Sequence, residues 1–361
     1  MDIMTVVGAR PQFIKAAAVA RAFDRVEADL RQVLVHTGQH YDALMSDTFF
    51  AELGLPEPDH QLGVGSADHG AQTGAIMAGL EEVIRRSSPD LIVVYGDTNS
   101  TLAAALVGAK CHVPVAHVEA GLRSFDRRMP EEINRIVADH VSSLLLCPSQ
   151  RAVDLLRGEG IVDGVHLVGD VMFDVFKEMN THLRPADQLS TKLGLQTGAF
   201  GLVTIHRADN TDDPKRFDSI VSALSELADG GLPLVWPVHP RARALVRKLA
   251  LPPGIHLLEP ATYNQMLWLL HDASVVLTDS GGLQKEALWS ARPCVTMRDT
   301  TEWTETVDCG WNLLVGADRA RIVHAALHLR PAGDPPPIYG DGRAADAVVR
   351  ILLDEVGARA S

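Results

Sequence analysis

Short apolar runs rich in β-branched residues recur along the whole chain, and each is followed by a stretch with helical periodicity. In the first half these runs are DIMTVV, RQVLVHTG, DLIVVYGD, VPVAHVEA and SLLLCPS, with amphipathic segments near 11–24, 69–86, 99–110, 130–140 and 149–158. FGLVTIH, LPLVWPVHP, GIHLLEP, ASVVLTDS and RPCVTMRD repeat the pattern, with helical segments near 214–229, 241–249, 262–271, 281–290 and 318–328. Strands separated by helices of this length form βαβ units, and these require a parallel sheet buried on both faces. A chain of 361 residues exceeds what one core usually holds, so two domains are expected. The polar, turn-rich stretch NTHLRPADQLSTKLGLQTG reads as the linker region between the halves. The expected architecture is α/β, with two Rossmann-like doubly wound parallel-sheet domains and a cleft between them. The first is expected over 1–172 and the second over 173–342, with a final helix over 343–361 that stays in the second domain or crosses back onto the first.

Composition narrows the partners. A formal charge of −13 weighs against nucleic acid as the main partner, without excluding a phosphorylated small molecule bound by local cations. Apolar runs such as SLLLC and ASVVLT fall far short of the ~20 residues that a membrane span needs. The opening MDIMTVVGAR enters a strand at once and leaves no room for a signal peptide. Cys111, Cys147, Cys294 and Cys309 are scattered without a C-x-x-C pair, which predicts neither a zinc site nor a disulfide framework and suits a reducing cytoplasm. No P-loop and no G-x-G-x-x-G fingerprint is present, and no spacing of ligands suggests a bound divalent ion. The expectation is a cytoplasmic protein without a cofactor, a metal, a nucleic-acid partner or a membrane partner.

Ligands of doubly wound sheets bind beyond the carboxyl ends of the strands. Reading only those positions collects Gly8-Ala9-Arg10, His36-Thr37-Gly38-Gln39-His40, Gly96-Asp97, His117-Val118-Glu119, His206-Arg207, His239-Pro240, Glu259-Pro260, Asp279-Ser280-Gly281-Gly282 and Arg298-Asp299. In VVLTDSGGLQKEAL a strand stops at Asp279 and a helix opens at Ser280-Gly281-Gly282, where glycines admit a ligand to the backbone and unpaired N–H groups favour a phosphate. Glu286, just over one turn into that helix, is placed to accept hydrogen bonds from ribose hydroxyls. The alternative is a plain serine N-cap on a tight turn. At the start of the chain, Arg10 and Lys15 in GARPQFIK are candidate cations for a diphosphate, against the alternative of two surface cations on an amphipathic helix. His206, Arg207 and His239 add donors from the second half.

The stretch HVEAGLRSFDRRMPEEINR concentrates carboxylates and arginines after an apolar run. It reads either as a solvated helix face or as part of a carboxylate cluster with acid–base work to do. Glu119 ends a strand and Glu131 opens a helix, so both can face the same cleft as Asp97. Glu132 and Arg135 have the spacing of a salt-bridged helix start.

With these pieces assembled, the chain resembles the non-hydrolysing UDP-N-acetylglucosamine 2-epimerase family. GARPQFIK, HTGQH, GDTNST, HVEAGLRS, MPEEINR, TIHRADN, PVHP, DSGGLQKEA and RDTTEW occur in the family's order over nearly the whole length. The resemblance implies the GT-B fold, a homodimer, and inversion of C2 in a UDP-linked N-acetylhexosamine, UDP-GlcNAc to UDP-ManNAc. The implied route eliminates UDP to a 2-acetamidoglucal and adds it back with reprotonation on the other face. A proton taken and returned on opposite faces calls for at least two acid–base groups, and crowded carboxylates can hold one proton among them. Carried over by motif, Asp97, Glu119 and Glu131 are the acid–base residues. Arg10, Lys15, His206, Arg207 and His239 bind or activate the diphosphate, His206 being counted with the catalytic set. Ser280, Gly281, Gly282 and Glu286 hold the phosphate and ribose.

The chain departs from the family pattern at named places. Many members carry an arginine after RDTTE, where it helps bind the nucleotide, and here Trp303 stands there. Met266 occupies a base-contact position that is often aromatic. With the short AGLRSFDRRMPEE loop, this variant looks like the branch acting on UDP-2,3-diacetamido-2,3-dideoxyglucuronate, and like archaeal and other bacterial members. In GQHYDALM, Gln39 and His40 match the stretch that serves substrate-activated members, whereas Asp42 replaces the expected glutamine. A GT-B glycosyltransferase, a hydrolysing epimerase and a catalytically silent nucleotide-sugar binder share parts of this pattern. The first needs an acceptor, the second releases free N-acetylmannosamine, and the third has no use for intact carboxylates.

Overall fold

The computed structural model describes residues 2–26, 30–39, 55–183 and 188–360. The chain divides into two compact units, residues 1–177 with 337–361, and residues 178–336. In chain order, the first contains β1 (Asp2–Val7), α1 (Arg10–Asp24), β2 (Arg31–His36), β3 (His60–Gln61), α2 (His69–Ser87), β4 (Leu91–Tyr95) and α3 (Asn99–Lys110). It continues through β5 (Val115–Val118), α4 (Pro130–Val141), β6 (Leu144–Cys147), α5 (Gln150–Gly158), β7 (Val165–Leu167) and α6 (Val171–Thr181). The division between the units falls inside α6, ahead of the polar stretch 180–198 that the sequence marks as linker.

The second unit contains α7 (Leu189–Lys192), β8 (Gly201–Thr204), α8 (Ala208–Thr211), α9 (Pro214–Asp229), β9 (Leu234–Pro237), α10 (Pro240–Val246) and β10 (Ile255–Leu258). Then come α11 (Tyr263–Asp272), β11 (Val275–Thr278), α12 (Gly281–Trp289), β12 (Cys294–Thr296), α13 (Thr304–Asp308), β13 (Asn312–Leu314) and α14 (Arg319–His328). The final helix, α15 (Ala344–Ala360), belongs to the first unit. Asp174 on α6 accepts the backbone N–H groups of Ala344 and Ala345 at 3.0 and 2.7 Å, and Arg25 pairs with Asp346 at 2.5 Å.

Both sheets are parallel and doubly wound, as the alternating pattern requires. The first runs β3-β2-β1-β4-β5-β6-β7 and the second β10-β9-β8-β11-β12-β13. Each therefore changes direction between its first and fourth strands in chain order, β1/β4 and β8/β11, which is where such folds gather their ligand groups. Central strands are buried on both faces; every residue of β4, LIVVY, is fully buried. At about 25 cal/mol per Å² of apolar surface, burial of this kind is the main term holding each unit together.

Helix starts are set by local chemistry. Pro11 suits the first turn of α1, and Gln12 reaches back with its carbonyl to the N–H groups of Gly8 and Ala9 at 2.8 and 3.1 Å. Asp213 caps α9 through Lys215 N–H at 2.9 Å, with Pro214 behind it. Gly8 turns out to serve packing: a Cβ there would stand 2.1 Å from Ser100 Oγ and 2.2 Å from Thr37 Oγ1. Among the described residues, no helix is long and apolar enough to cross a membrane.

Candidate active site

In the first unit the site is built at the ends of β4 and β5, which pair in parallel from Ile92 with Val115 to Tyr95 with Val118. After Tyr95 the backbone turns at Gly96, with φ of +60°, and presents Asp97 before Thr98 caps α3. After Val118, Glu119 itself holds φ of +70°. Only glycine adopts this region readily, and an L-residue there costs about 1–2 kcal/mol, so strain is concentrated at this carboxylate. Its N–H donates to Leu146 O at 3.0 Å, which fixes the turn against β6.

Lys15 reaches Glu119 from α1: Nζ lies 2.5 Å from Oε1, with both side chains about nine-tenths buried. A Cβ on Gly96 would stand 3.3 Å from Glu119 Oε1 and 3.4 Å from Lys15 Nζ, so the turn before Asp97 packs directly on this ion pair. Asp97 pairs with the buried Arg135, and its backbone carbonyl accepts Asn134 Nδ2 at 2.9 Å. The structure thus sets Asp97 and Glu119 each against its own cation, and Lys15 is the cation that the sequence also offers to a diphosphate. A small enclosed space has Lys15, Glu119, Pro148 and Asp170 among its walls.

Neighbouring carboxylates on α4 divide the labour. Glu132 is fully buried and accepts Ser124 N–H and Oγ, both at 2.9 Å, and Phe125 N–H at 2.8 Å. Arg135 Nη1 lies 3.2 Å from Glu132 Oε2, so the salt-bridged helix start read from E-E-x-N-R is present and also carries Asp97. Glu131, one residue earlier, is half-buried and makes no hydrogen bond or ion pair among the described residues. Arg10 opens α1, but its side chain lies outside the described residues, as do His40 and Asp42. His117 is a correction. It is not at a strand end but within β5, fully buried, bonded to Asp139 and to the Gly96 carbonyl.

In the second unit the corresponding switch point lies between β8 and β11. Asp279 follows β11, is fully buried, and accepts the backbone N–H groups of His206 at 3.0 Å and Arg207 at 3.0 Å. It fastens the turn that begins α8, and its Oδ1 lies 3.4 Å from His206 Nδ1. Burial lowers the pKa of His206 below the ordinary histidine value, with the nearby Asp279 opposing and His239, Arg207 and Arg298 reinforcing the shift. The ring of His239 lies 5.1 Å from that of His206, centroid to centroid. His239 also caps α10, accepting Arg241 N–H at Nδ1 over 3.2 Å.

Ser280 caps α12 as the sequence predicts, its Oγ accepting Leu283 N–H at 3.5 Å. A Cβ on Gly281 would meet Glu302 Oε1 at 2.6 Å, Trp303 Nε1 at 3.3 Å and Arg207 Nη2 at 3.7 Å. Gly281 therefore sits in a polar ring of carboxylate, indole and guanidinium, whereas Gly282 is exposed with nothing within 4 Å of its Cβ position. Glu286, one turn on, accepts the hydroxyl of Tyr263 at 3.1 Å. Trp303 is buried and receives the Lys285 ammonium 3.5 Å over its ring centroid, a cation–π contact.

A family model for UDP-N-acetylglucosamine 2-epimerase matches residues 23–353. The chain belongs to this family. It is 48% identical, over 98% of its own length and 99% of the relative's, to the UDP-2,3-diacetamido-2,3-dideoxy-D-glucuronate 2-epimerase of Pseudomonas aeruginosa. It is 38% identical to the UDP-N-acetylglucosamine 2-epimerase of Methanocaldococcus jannaschii, over 98% of this chain and 99% of the other. A crystal structure of the Methanocaldococcus jannaschii UDP-GlcNAc 2-epimerase in complex with UDP-GlcNAc and UDP matches with a TM-score of 0.90 at 37% identity, covering 98% of this chain and all of that one.

For this 2-epimerase family member, the residues that reading strand ends does not supply are the partners of the carboxylates. Reading strand ends assigns Arg135 to structure alone and does not reach Asn134, Tyr263 or Asp170. Asp170 is buried at the start of α6, accepts Met172 N–H at 2.8 Å, and shares the small enclosed space with Lys15 and Glu119. Gly169-Asp170 repeats the dipeptide Gly96-Asp97, but it lies one residue beyond a three-residue edge strand, VHL, that is too short to be read from the sequence.

Proposed function

We propose that this epimerase inverts C2 of a UDP-linked 2-acetamido sugar without hydrolysis, converting UDP-GlcNAc to UDP-ManNAc. The observation that carries the reading is the Lys15–Glu119 pair packed on the Gly96–Asp97 turn, which sets two carboxylates at adjacent strand ends. One carboxylate of the set Asp97, Glu119 and Glu131 takes the C2 proton as the C1–O bond to UDP breaks, giving 2-acetamidoglucal and UDP. UDP then adds back at C1 while a second group delivers a proton to the opposite face of C2. General acid–base groups of this kind contribute about 10²–10⁴-fold each. The departing diphosphate is held by Arg10, Arg207 and His239 and by the N–H groups at the start of α12, Ser280, Gly281 and Gly282, with His206 assisting its departure. Glu286, oriented by Tyr263, accepts the ribose hydroxyls.

A second substrate is favoured by a specific observation. The 48% identity to a diacetamido-glucuronate 2-epimerase and Trp303 with its bound Lys285 support the same reaction on UDP-2,3-diacetamido-2,3-dideoxyglucuronate. The reading also takes the enzyme to be a cytoplasmic homodimer that supplies an activated sugar for polysaccharide synthesis, as family membership suggests; light scattering on the purified protein tests the dimer.

The deciding experiment incubates each UDP-sugar with the enzyme in deuterated water. The expected product is an intact UDP-sugar with one deuterium at C2 and the inverted configuration, formed without an acceptor. Free N-acetylmannosamine would assign the hydrolysing reaction instead, and recovery of both substrates without deuterium at C2 would remove the elimination route.

A further inference from the structure

His117 is the third residue of β5, and its imidazole is wholly enclosed. Its Nε2 lies 2.7 Å from the carbonyl oxygen of Gly96, and its Nδ1 lies 2.7 Å from Asp139 Oδ1. A carbonyl oxygen has no proton to give, so Nε2 is the donor in the first bond. In the second, the other oxygen of Asp139 already accepts two donors, Arg123 Nη1 at 2.6 Å and Gly121 N–H at 3.1 Å. A carboxylate so engaged is ionised, and Nδ1 must donate to it as well. Burial alone would push the Asp139 carboxyl up, but the bonds from His117 and Arg123 outweigh it and hold the group below its ordinary value. Behind Arg123, Glu159 closes the cluster with a two-pronged bond at 2.7 and 2.8 Å.

The charged group bonded to the ring is Asp139 on α4. Behind it Arg123, after β5, pairs with Asp139 and with Glu159 after α5, His140 Nε2 lies 3.9 Å from Glu159, and the Cys147 thiol of β6 is within electrostatic reach of Asp139.

We propose that His117 is a positioning residue for the epimerisation, held as an imidazolium that ties the Gly96–Asp97 turn to the Glu119–Gly121 turn. The inference rests on the epimerase reading for the chemistry it serves. Gly96 carries φ of +60°, so the peptide leading to Asp97 has conformational freedom that other residues lack, and a strong charged donor on its carbonyl removes that freedom. Asp139, through Gly121 N–H, does the same for the turn that carries Glu119. One ring and one carboxylate thereby fix both turns in a single buried unit, in the way that outer groups hold the direct ligands of a metal or substrate. Neither residue needs to touch the sugar.

The test uses two substitutions and one spectrum. His117→Gln places an amide nitrogen where Nε2 stood and retains the donor to Gly96, whereas His117→Asn places it nearer Nδ1 and loses that donor. The expected result is that His117→Asn lowers kcat for C2 deuterium exchange by about 10²-fold, the scale of a misplaced catalytic group, with KM little changed. His117→Gln should recover roughly tenfold of that loss. Equal loss in the two variants, or an effect on KM alone, overturns the positioning role. On wild-type enzyme with ¹⁵N-labelled histidine, the His117 signals, assigned by their loss in either variant or by selective broadening, should show a proton on each ring nitrogen, as the two bonds require. A neutral tautomer overturns the inference even if both variants fail to fold. Absence of C2 exchange in the wild type would count against the epimerase reading and would leave the spectrum to decide the state of the ring.

Discussion

The ammonium of Lys15 and the carboxylate of Glu119 meet at 2.5 Å although 104 residues separate them in sequence. Their meeting depends on strand order. β1 and β5 both flank β4, so a side chain one turn into α1 and a side chain just past β5 arrive over the same turn, Gly96. The pair gives Glu119 a fixed orientation, and in the proposed mechanism that orientation sets where the C2 proton is exchanged.

Substituting Lys15 by Met should separate the two roles. Breaking a buried ion pair on one side costs about 3–5 kcal/mol because the remaining charge has no partner. The double variant Lys15→Met with Glu119→Gln should recover much of that stability while C2 exchange remains abolished. Denaturant midpoints and deuterium incorporation measure the two effects separately, and a double variant as unstable as the single one would refute the argument.

Glu131 and Glu132 are neighbours with opposite expectations. Glu131→Gln removes no bond among the described residues, so stability should stay within about 0.5 kcal/mol, while epimerisation falls by about 10²–10⁴-fold. Glu132→Gln leaves the Ser124 and Phe125 donors and Arg135 facing a neutral amide, so unfolding should come first, with a clear drop in melting temperature. A Glu131→Gln enzyme with near-normal turnover would take that residue out of the acid–base set.

Much of this is legible in the sequence. The central strands announce themselves because burial on both faces leaves nearly continuous apolar runs, and the polar residues after them fall at the ends where ligands bind. β3, β7 and β13 were not legible: they are two- or three-residue edge strands, partly exposed, too short to show any period. Asp97, Glu119, His206 and Asp279 could be read as site positions, but their partners could not. Arg135 under Asp97 and Lys15 on Glu119 come from different βαβ units, and only the order of strands in the sheet decides which units become neighbours. His117 was misplaced because the strand runs one residue beyond it, which turns its side chain into the interior.

Acid should weaken the fold through histidines held neutral. His206 has its pKa lowered mainly by burial, and burial also lowers those of His36 and His271. Between their depressed values and the ordinary 6.5, the unfolded chain binds protons that the folded chain does not, so this contribution is complete above 6.5 and is lost as pH falls through that window. Urea midpoints taken from about pH 7 to about pH 5 should decline, and His206→Gln should flatten part of the slope. An unchanged slope in the variant would exclude His206 as a source.

Tyr263→Phe tests the ribose end. The hydroxyl bonded to Glu286 contributes about 1 kcal/mol by ordinary reckoning, so UDP should bind roughly fivefold more weakly, with kcat nearly unaffected. Calorimetric titration with UDP gives the first number and exchange at saturating UDP-sugar the second. A fall in kcat alone would place Tyr263 nearer the reacting carbon than the ribose.

Glu119 stands in a backbone conformation that nearly every L-amino acid resists. Under selection for folding alone, that position would drift toward glycine or asparagine. A glutamate there stands against the preference of its own main chain, and the proposed acid–base role is a reason for the fold to carry that cost at this one position.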